Sequence, residues 1–183
     1  ELEEVAREQG LPTYTARQLA DWLYRKSIRD IEGMTNLSTS VRNTLSERYT
    51  LGVQEPRTYQ ESADGTRKYL FETGKHRFVE AAYIPEETRA TLCLSTQVGC
   101  KMGCLFCMTG KQGFQANLSA GQIINQVRSL PERESLTNLV YMGMGEPFDN
   151  TDEVMKSLEV FTSSWGFGWS PRRITVSTIG ILP

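Results

Sequence analysis

The chain has 183 residues, 39% of them hydrophobic and 23% charged, with a formal net charge of -2. That is an ordinary globular composition, long enough for one domain or for a small domain plus part of a larger one. The whole-chain charge carries no nucleic-acid signature, no apolar run approaches the roughly 20 residues of a membrane span, and the acidic start E-L-E-E-V-A-R-E-Q-G is not a signal peptide.

Residues 1–50 read as helical. Thr15 to Lys26 sets Leu19, Trp22, Leu23 and Lys26 at helical spacing, with Thr13 or Thr15 as the expected N-cap. Asn36-Leu37-Ser38 punctuates before a second amphipathic run from Val41 to Tyr49, which ends near Gly52. Such a bundle is either a packing cap or a module that grips a large substrate. Basic residues gather at Arg25, Lys26 and Arg29, and again at Arg172 and Arg173, each group a solvated face or a contact for nucleic acid.

From Val53 the texture changes to strands. Arg57–Glu61 and Arg67–Glu72 flank Ser62-Ala63-Asp64-Gly65, a strong hairpin signal, and His76–Ile84 follows as a third strand carrying Glu80. Arg89–Gln97 is the next. Alternation puts Leu92 and Leu94 on one face and Thr91, Cys93 and Ser95 on the other, more polar one. A cysteine in a strand is usually a small buried hydrophobe. Polar neighbours give Cys93 an equal claim to a chemical role.

All four cysteines fall between Cys93 and Cys107, and Cys100, Cys104 and Cys107 are spaced C-x3-C-x2-C, with Phe106 before the last. Three thiolates on one loop can each ligate one iron of a [4Fe–4S] cube, leaving the fourth iron open to a small molecule. A zinc site ordinarily wants four ligands in two pairs; no second pair exists, and a Cys3His site would have to recruit the distant His76. Disulfides fit the cysteine count, but clustered thiols in a chain this long suit a reducing cytoplasm better.

Beyond the loop, Ser119 caps an expected helix through Ile123, Ile124 and Val127 to Leu130. Leu136–Met142 reads as a buried strand ending in G-M-G-E-P, whose glycines would let backbone approach a ligand and whose Glu146 could accept hydrogen bonds from an ammonium group. A tight turn after a strand is the plainer reading. Thr151 and Asp152 open another helix, and Arg173–Thr178 is a last strand with Ser177 at its carboxyl end. From Arg89 on, the strand–helix alternation predicts parallel βαβ units, whose ligands bind at the carboxyl ends of strands. The cysteine loop, Gly145-Glu146 and Ser177 all fall at such ends. The chain stops on a strand and loop, which reads as a truncation.

The order G-C-x3-C-x-F-C resembles the radical S-adenosylmethionine (SAM) enzymes. Together with M-G-M-G-E-P, V-S-T-x-G, the lead-in V-E-A-A-Y-I-P-E-E-T-R-A-T-L-C-L-S-T-Q-V-G-C, and L-P-x-Y-T-A-R-Q-L-A-D-W-L-Y near the start, it closely resembles the RlmN/Cfr family of RNA methyltransferases. The overall texture favours RlmN. The resemblance implies an α/β fold with three parts: a helical RNA-binding accessory domain over 1–52, a β-strand extension over 53–88, and the first half of a partial (β/α)6 barrel over 89–183.

It also implies chemistry. RlmN enzymes methylate C2 of an adenine in 23S rRNA, and in some organisms in tRNA; Cfr enzymes methylate C8. By resemblance, Cys100, Cys104 and Cys107 hold the cluster, which binds SAM and cleaves it to a 5′-deoxyadenosyl radical. Gly145 and Glu146 meet the SAM amino group, Ser177 touches SAM further along, and Phe106 packs near its adenine. Cys93 takes the ring proton and resolves the adduct by disulfide formation, and Glu80 is the proton-accepting carboxylate. The family stores the methyl group on a cysteine near its C-terminus, whereas this sequence has no cysteine after Cys107. The 183-residue chain is therefore expected not to methylate RNA alone, and its three barrel strands to leave a long apolar edge. A flavodoxin-like electron donor, a monomeric state and a cytoplasmic setting complete the expectation; another radical SAM activity or a zinc-containing RNA-binding fragment are the alternatives.

Overall fold

The computed structural model describes residues 1–26 and 28–181. Contacts divide them into two compact units. The first comprises Glu1–Val53 with Glu159–Trp169, the second Gln54–Leu158 and the chain from Ser170 on.

In the first unit the helices are α1 (Leu2–Glu8), α2 (Thr15–Ala20) and α3 (Thr39–Arg48). The expected helix to Lys26 exists, but beyond Ala20 its ladder widens into a π-helical turn over Asp21–Arg25. Its N-cap is Tyr14, with no side-chain cap, rather than either threonine. Ser38 does cap α3, accepting from the Val41 amide at 3.3 Å. Leu19, Ile31, Met34, Leu37 and Leu45 form the core, with Trp22 and Val41 packed against it. Of the basic group, Arg25 donates to the Ser164 and Gly166 carbonyls, while Lys26 pairs with Asp21 at 3.3 Å and lies 3.8 Å from the Trp22 ring centroid. These two cations are engaged within their own unit.

The second unit is built on a six-stranded sheet ordered β1-β2-β3-β4-β7-β8. Strands β1 (Thr58–Glu61), β2 (Arg67–Gly74) and β3 (Arg77–Pro85) form an antiparallel meander, with Gly65 at φ +81° in the first turn. β3 runs antiparallel to β4 (Ala90–Cys93), after which β4, β7 (Asn138–Tyr141) and β8 (Ile174–Val176) are parallel, as the alternating pattern predicts. The expected strand to Gln97 is shorter. After Cys93 the chain bonds to the turn following β7, and Gln97–Val98 (β5) pairs instead with Ala116–Asn117 (β6). The free edges are also shorter than expected: β8 has three residues, and β1 is a fully exposed Thr-Tyr-Gln-Glu. Meander strands continue the sheet on the β4 side, so β4 presents no edge.

Alternation decides the two faces. Tyr69, Phe71, Val79, Ala81, Leu92, Leu139 and Tyr141 are at most 2% exposed. This face carries the helices α5 (Ala120–Arg128) and α6 (Thr151–Thr162): Tyr141 bonds Ser157 of α6 at 2.7 Å, and Tyr69 bonds Glu132 just beyond α5. α5 starts in a capping box in which Ser119 and Gln122 satisfy one another's amides. The opposite face bears Lys68, Glu80, Ala82, Cys93, Val140 and Thr175, all half-buried or exposed. That open face is where chemistry is accessible.

Candidate active site

Cys93 ends β4, opposite Ala82 on β3 and Val140 on β7. Glu80 lies two residues from Ala82 on the same face, a diagonal cross-strand position roughly 7–8 Å away in such ladders. Burial pushes the Cys93 thiol above its ordinary range, with the Met142 backbone amide pulling the other way. The Glu80 carboxylate pairs with Lys68 at 3.0 Å, both side chains about half exposed. Its backbone is fixed more firmly. The Glu80 N–H donates to the Met144 sulfur at 3.4 Å, the Ser95 hydroxyl donates to the Glu80 carbonyl, and the Met144 N–H donates to the Ser95 oxygen at 2.9 Å. Ser95 thus ties β3 to the turn after β7.

The cysteine loop leaves β5 and returns through α4 (Met108–Gln112) to β6. Its base is closed by glycine. At Gly99 (φ +72°) a Cβ would lie 1.7 Å from the Gly113 carbonyl oxygen, and at Gly110 one would lie 2.6 Å from that of Met102. The loop folds on turns from Cys104 N–H to the Met102 carbonyl (2.9 Å) and Cys107 N–H to the Cys104 carbonyl (3.1 Å). All four cysteines are free thiols. The backbone amide of Gly110, aided by Thr109, holds the Cys107 thiol below its ordinary range, which favours a ligating thiolate. Leu105 and Phe106 are more than nine-tenths exposed.

Among the described residues, no three His, Cys, Asp or Glu side chains stand together as a metal-binding group. His76 is not drawn to the cysteines and sits in the β2–β3 turn at φ +59°. The donor set nonetheless suits an iron–sulfur cluster: three soft thiols on one loop, one of them already biased to thiolate.

The G-M-G-E-P turn follows β7. Its glycines answer a packing need within the chain: a Cβ on Gly143 would lie 2.6 Å from the Leu94 carbonyl oxygen, and one on Gly145 (φ +98°) 2.6 Å from Gln97 Cβ. Glu146 is 4% exposed, and its carboxylate already accepts from Phe148 N–H (2.9 Å), the Thr178 hydroxyl (2.6 Å) and Ile179 N–H (3.0 Å). It joins the ends of β7 and β8 rather than standing free. Ser177 is exposed just past β8, its N–H 3.4 Å from the Tyr141 carbonyl. Arg173 donates to the Leu136 and Thr137 carbonyls, which accounts for one of the two C-terminal cations.

Sequence reasoning missed the hub beneath these loops. Gln97 is fully buried; its amide donates to Asn117 (2.8 Å) and Asp149 (2.7 Å) and accepts from the Glu146 N–H (2.9 Å). Asp149 pairs in turn with Lys101 at 2.9 Å, and Asn150 donates to the Thr96 and Leu118 carbonyls. An isolated glutamine carries no periodic signal, so only its place between a strand and the first cysteine of the loop could have marked it.

Within the mixed sheet, β4, β7 and β8 run parallel, with a three-cysteine loop following the first and a G-x-G-E-P turn the second, an arrangement of the radical SAM class. Residues 94–183 match the Radical SAM superfamily, and residues 1–51 match the Ribosomal RNA large subunit methyltransferase N-terminal domain. The fold aligns at TM-score 0.90 and 40% identity with a radical SAM methyltransferase from Sphaerobacter thermophilus, covering 99% of this chain and 55% of that one. A probable dual-specificity RNA methyltransferase RlmN from Phocaeicola vulgatus is 60% identical over 99% of this chain and 52% of its own length; an RlmN from Halorhodospira halophila is 45% identical over 94% and 49%. Over these matched regions the chain is similar to the RlmN family of radical SAM proteins. It spans about half the length of the curated relatives it matches.

Proposed function

We propose that this chain is the cofactor-binding half of an RNA methyltransferase that acts on C2 of an adenine in 23S rRNA, and in tRNA, through a methyl-cysteine intermediate. The observation that carries the reading is convergence. Cys93, the cysteine loop, the Gly145-Glu146 turn and Ser177 follow the carboxyl ends of three successive parallel strands, and Glu80 shares the open face with Cys93. On this reading Cys100, Cys104 and Cys107 hold a [4Fe–4S] cluster, which when bound supplies the electron for reductive cleavage of SAM. Gly145 and Glu146 border the SAM amino group, with Glu146 releasing part of its internal bonding to do so. Ser177 and the exposed Phe106 contact the rest of SAM.

Cys93 holds a proton-accepting sulfur toward the open face, and Glu80 receives the proton beyond it. Burial keeps Cys93 protonated between turnovers, which suits a group that must become basic only when substrate is seated. The helical unit meets the RNA, a flavodoxin-like protein delivers the electron, and the protein works as a cytoplasmic monomer. No helix among the described residues is long and apolar enough to cross a membrane.

The test is anaerobic iron–sulfur reconstitution followed by EPR of the reduced chain with and without SAM. A [4Fe–4S] signal that SAM perturbs is expected. Bound zinc in place of iron, or a cluster blind to SAM, would refute the assignment.

A further inference from the structure

The cysteine loop and the turn proposed to meet SAM belong to different strands, and something must hold them in register. The β5–β6 pair fixes the base of the loop, with Gln115 N–H donating to the Val98 carbonyl at 2.9 Å. Just past that base the Lys101 side chain reaches across. Lys101, between Cys100 and Cys104, places its ammonium 2.9 Å from Asp149 Oδ2 and 3.0 Å from Oδ1, and 4.5 Å from the Phe114 ring centroid on the return limb of the loop. Asp149 stands three residues after Glu146. Its carboxylate is about four-fifths buried and also accepts from Gln97, whose carbonyl oxygen receives the Glu146 N–H.

Resting on the reading above, we propose that Lys101 and Asp149 form a positioning clamp. It locks the outgoing limb of the cysteine loop to the Glu146 turn through Asp149 and Gln97, so that cluster ligands and SAM-binding groups keep one fixed spacing. Neither residue touches the reacting atoms; they act through the loops they join. Charge chemistry suits the task. The Asp149 carboxylate is oriented by the buried Gln97 amide before the lysine arrives, so closing the pair immobilises one long side chain rather than two. Lys101 is half exposed, so the pair is screened and its strength is that of a latch rather than of a core contact.

The clamp is tested by hydrogen exchange, read by mass spectrometry, on the 183-residue chain without metal. Peptides covering 100–107 report the loop, and peptides covering β4 and β7 report the sheet. Lys101→Met and Asp149→Asn should each speed exchange in the loop by about fivefold, the scale of one modest ion pair, and leave the strands unchanged. Lys101→Arg should restore the loop to within about twofold. The exchanged pair, Lys101→Asp with Asp149→Lys, should recover part of the protection that either single reversal loses. After reconstitution, the neutralised variants should retain bound iron but show a weaker SAM-induced change in the EPR signal. Unchanged loop exchange in both single variants would overturn the clamp, as would equal acceleration in loop and strands, because the pair would then serve only general stability. If wild-type protein fails to bind iron, the cofactor reading fails instead, and the exchange experiment still decides the clamp.

Discussion

Removing the Glu146 carboxylate should loosen the joint between β7 and β8. Three donors converge on it: the Phe148 and Ile179 amides and the Thr178 hydroxyl. At about 2 kcal/mol for each hydrogen bond to a charged acceptor, their sum is roughly 6 kcal/mol. Two corrections reduce it. Thr178 and Ile179 are exposed and can turn to water, and the variant no longer confines a carboxylate that is 4% exposed. We expect Glu146→Ala to cost about 3 kcal/mol, equivalent to roughly 150-fold in an equilibrium constant. Glu146→Gln keeps one carbonyl acceptor and should cost about half as much. The assay is native-state hydrogen exchange: the slowest β7 amides report opening of the second unit, and the 177–181 segment should lose protection first. A Glu146→Ala variant within about 0.5 kcal/mol of wild type, or a glutamine variant worse than the alanine one, would show that the carboxylate is not the joint described above.

Three further outcomes follow from the same geometry. Gly145→Ala combines a φ of +98° with a methyl 2.6 Å from Gln97 Cβ; it should cost about 2–4 kcal/mol in urea unfolding, and cause local loss of protection around Gln97. In the buried Tyr141–Ser157 pair, Ser157 already donates to the Val154 carbonyl, so the tyrosine is the donor. Ser157→Ala, which strands that hydroxyl, should therefore cost about 2 kcal/mol and Tyr141→Phe about 1 kcal/mol, an order that calorimetry can reverse or uphold. Alkylation of the metal-free chain against pH should give Cys107 a midpoint below that of a free thiol and Cys93 one above it. The sign carries over to stability. Cys93 binds its proton more tightly folded than unfolded, so its contribution declines as pH rises from the free-thiol range through its own raised midpoint. Coincident midpoints would refute both environments.

Much of the architecture is legible in local pattern. Alternation in Tyr69-Leu70-Phe71 and Val79-Glu80-Ala81-Ala82-Tyr83 marks strands and their buried faces, because a period of two has one physical meaning on a pleated ladder. The hairpin announces itself in Asp64-Gly65 and the start of α5 in Ser119, to which the structure adds Gln122 as the second half of a capping box. The site is less legible, since its logic runs between segments. Leu94, Ser95 and Thr96 look like strand, yet the Leu94 carbonyl and Thr96 amide meet the turn after β7, where Gly143 and Gly145 allow the approach, and Ser95 bonds Gln126 of α5. For the same reason those glycines suggest a ligand approach while the structure spends them on Leu94 and Gln97. The acceptor capacity of Glu146 was readable; that three donors of its own chain fill it was not. Lys101 and Asp149 look like solvated surface charges until Gln97 brings them together.

The two-faced sheet leaves a mark that requires no structure to observe. Helix-side positions sit at odd numbers along β2 and β3, at Leu92 in β4, and again at odd numbers in β7. A saturation scan read for soluble expression should therefore beat with a period of two along β2, β3 and β7, with Leu92 the least tolerant position of β4. Read instead for chemistry, the beat should invert. On the proposed roles, Glu80 and Cys93, tolerant in the first scan, become the intolerant positions in a second scan of the full-length protein, so the difference between the two scans traces the face proposed for catalysis.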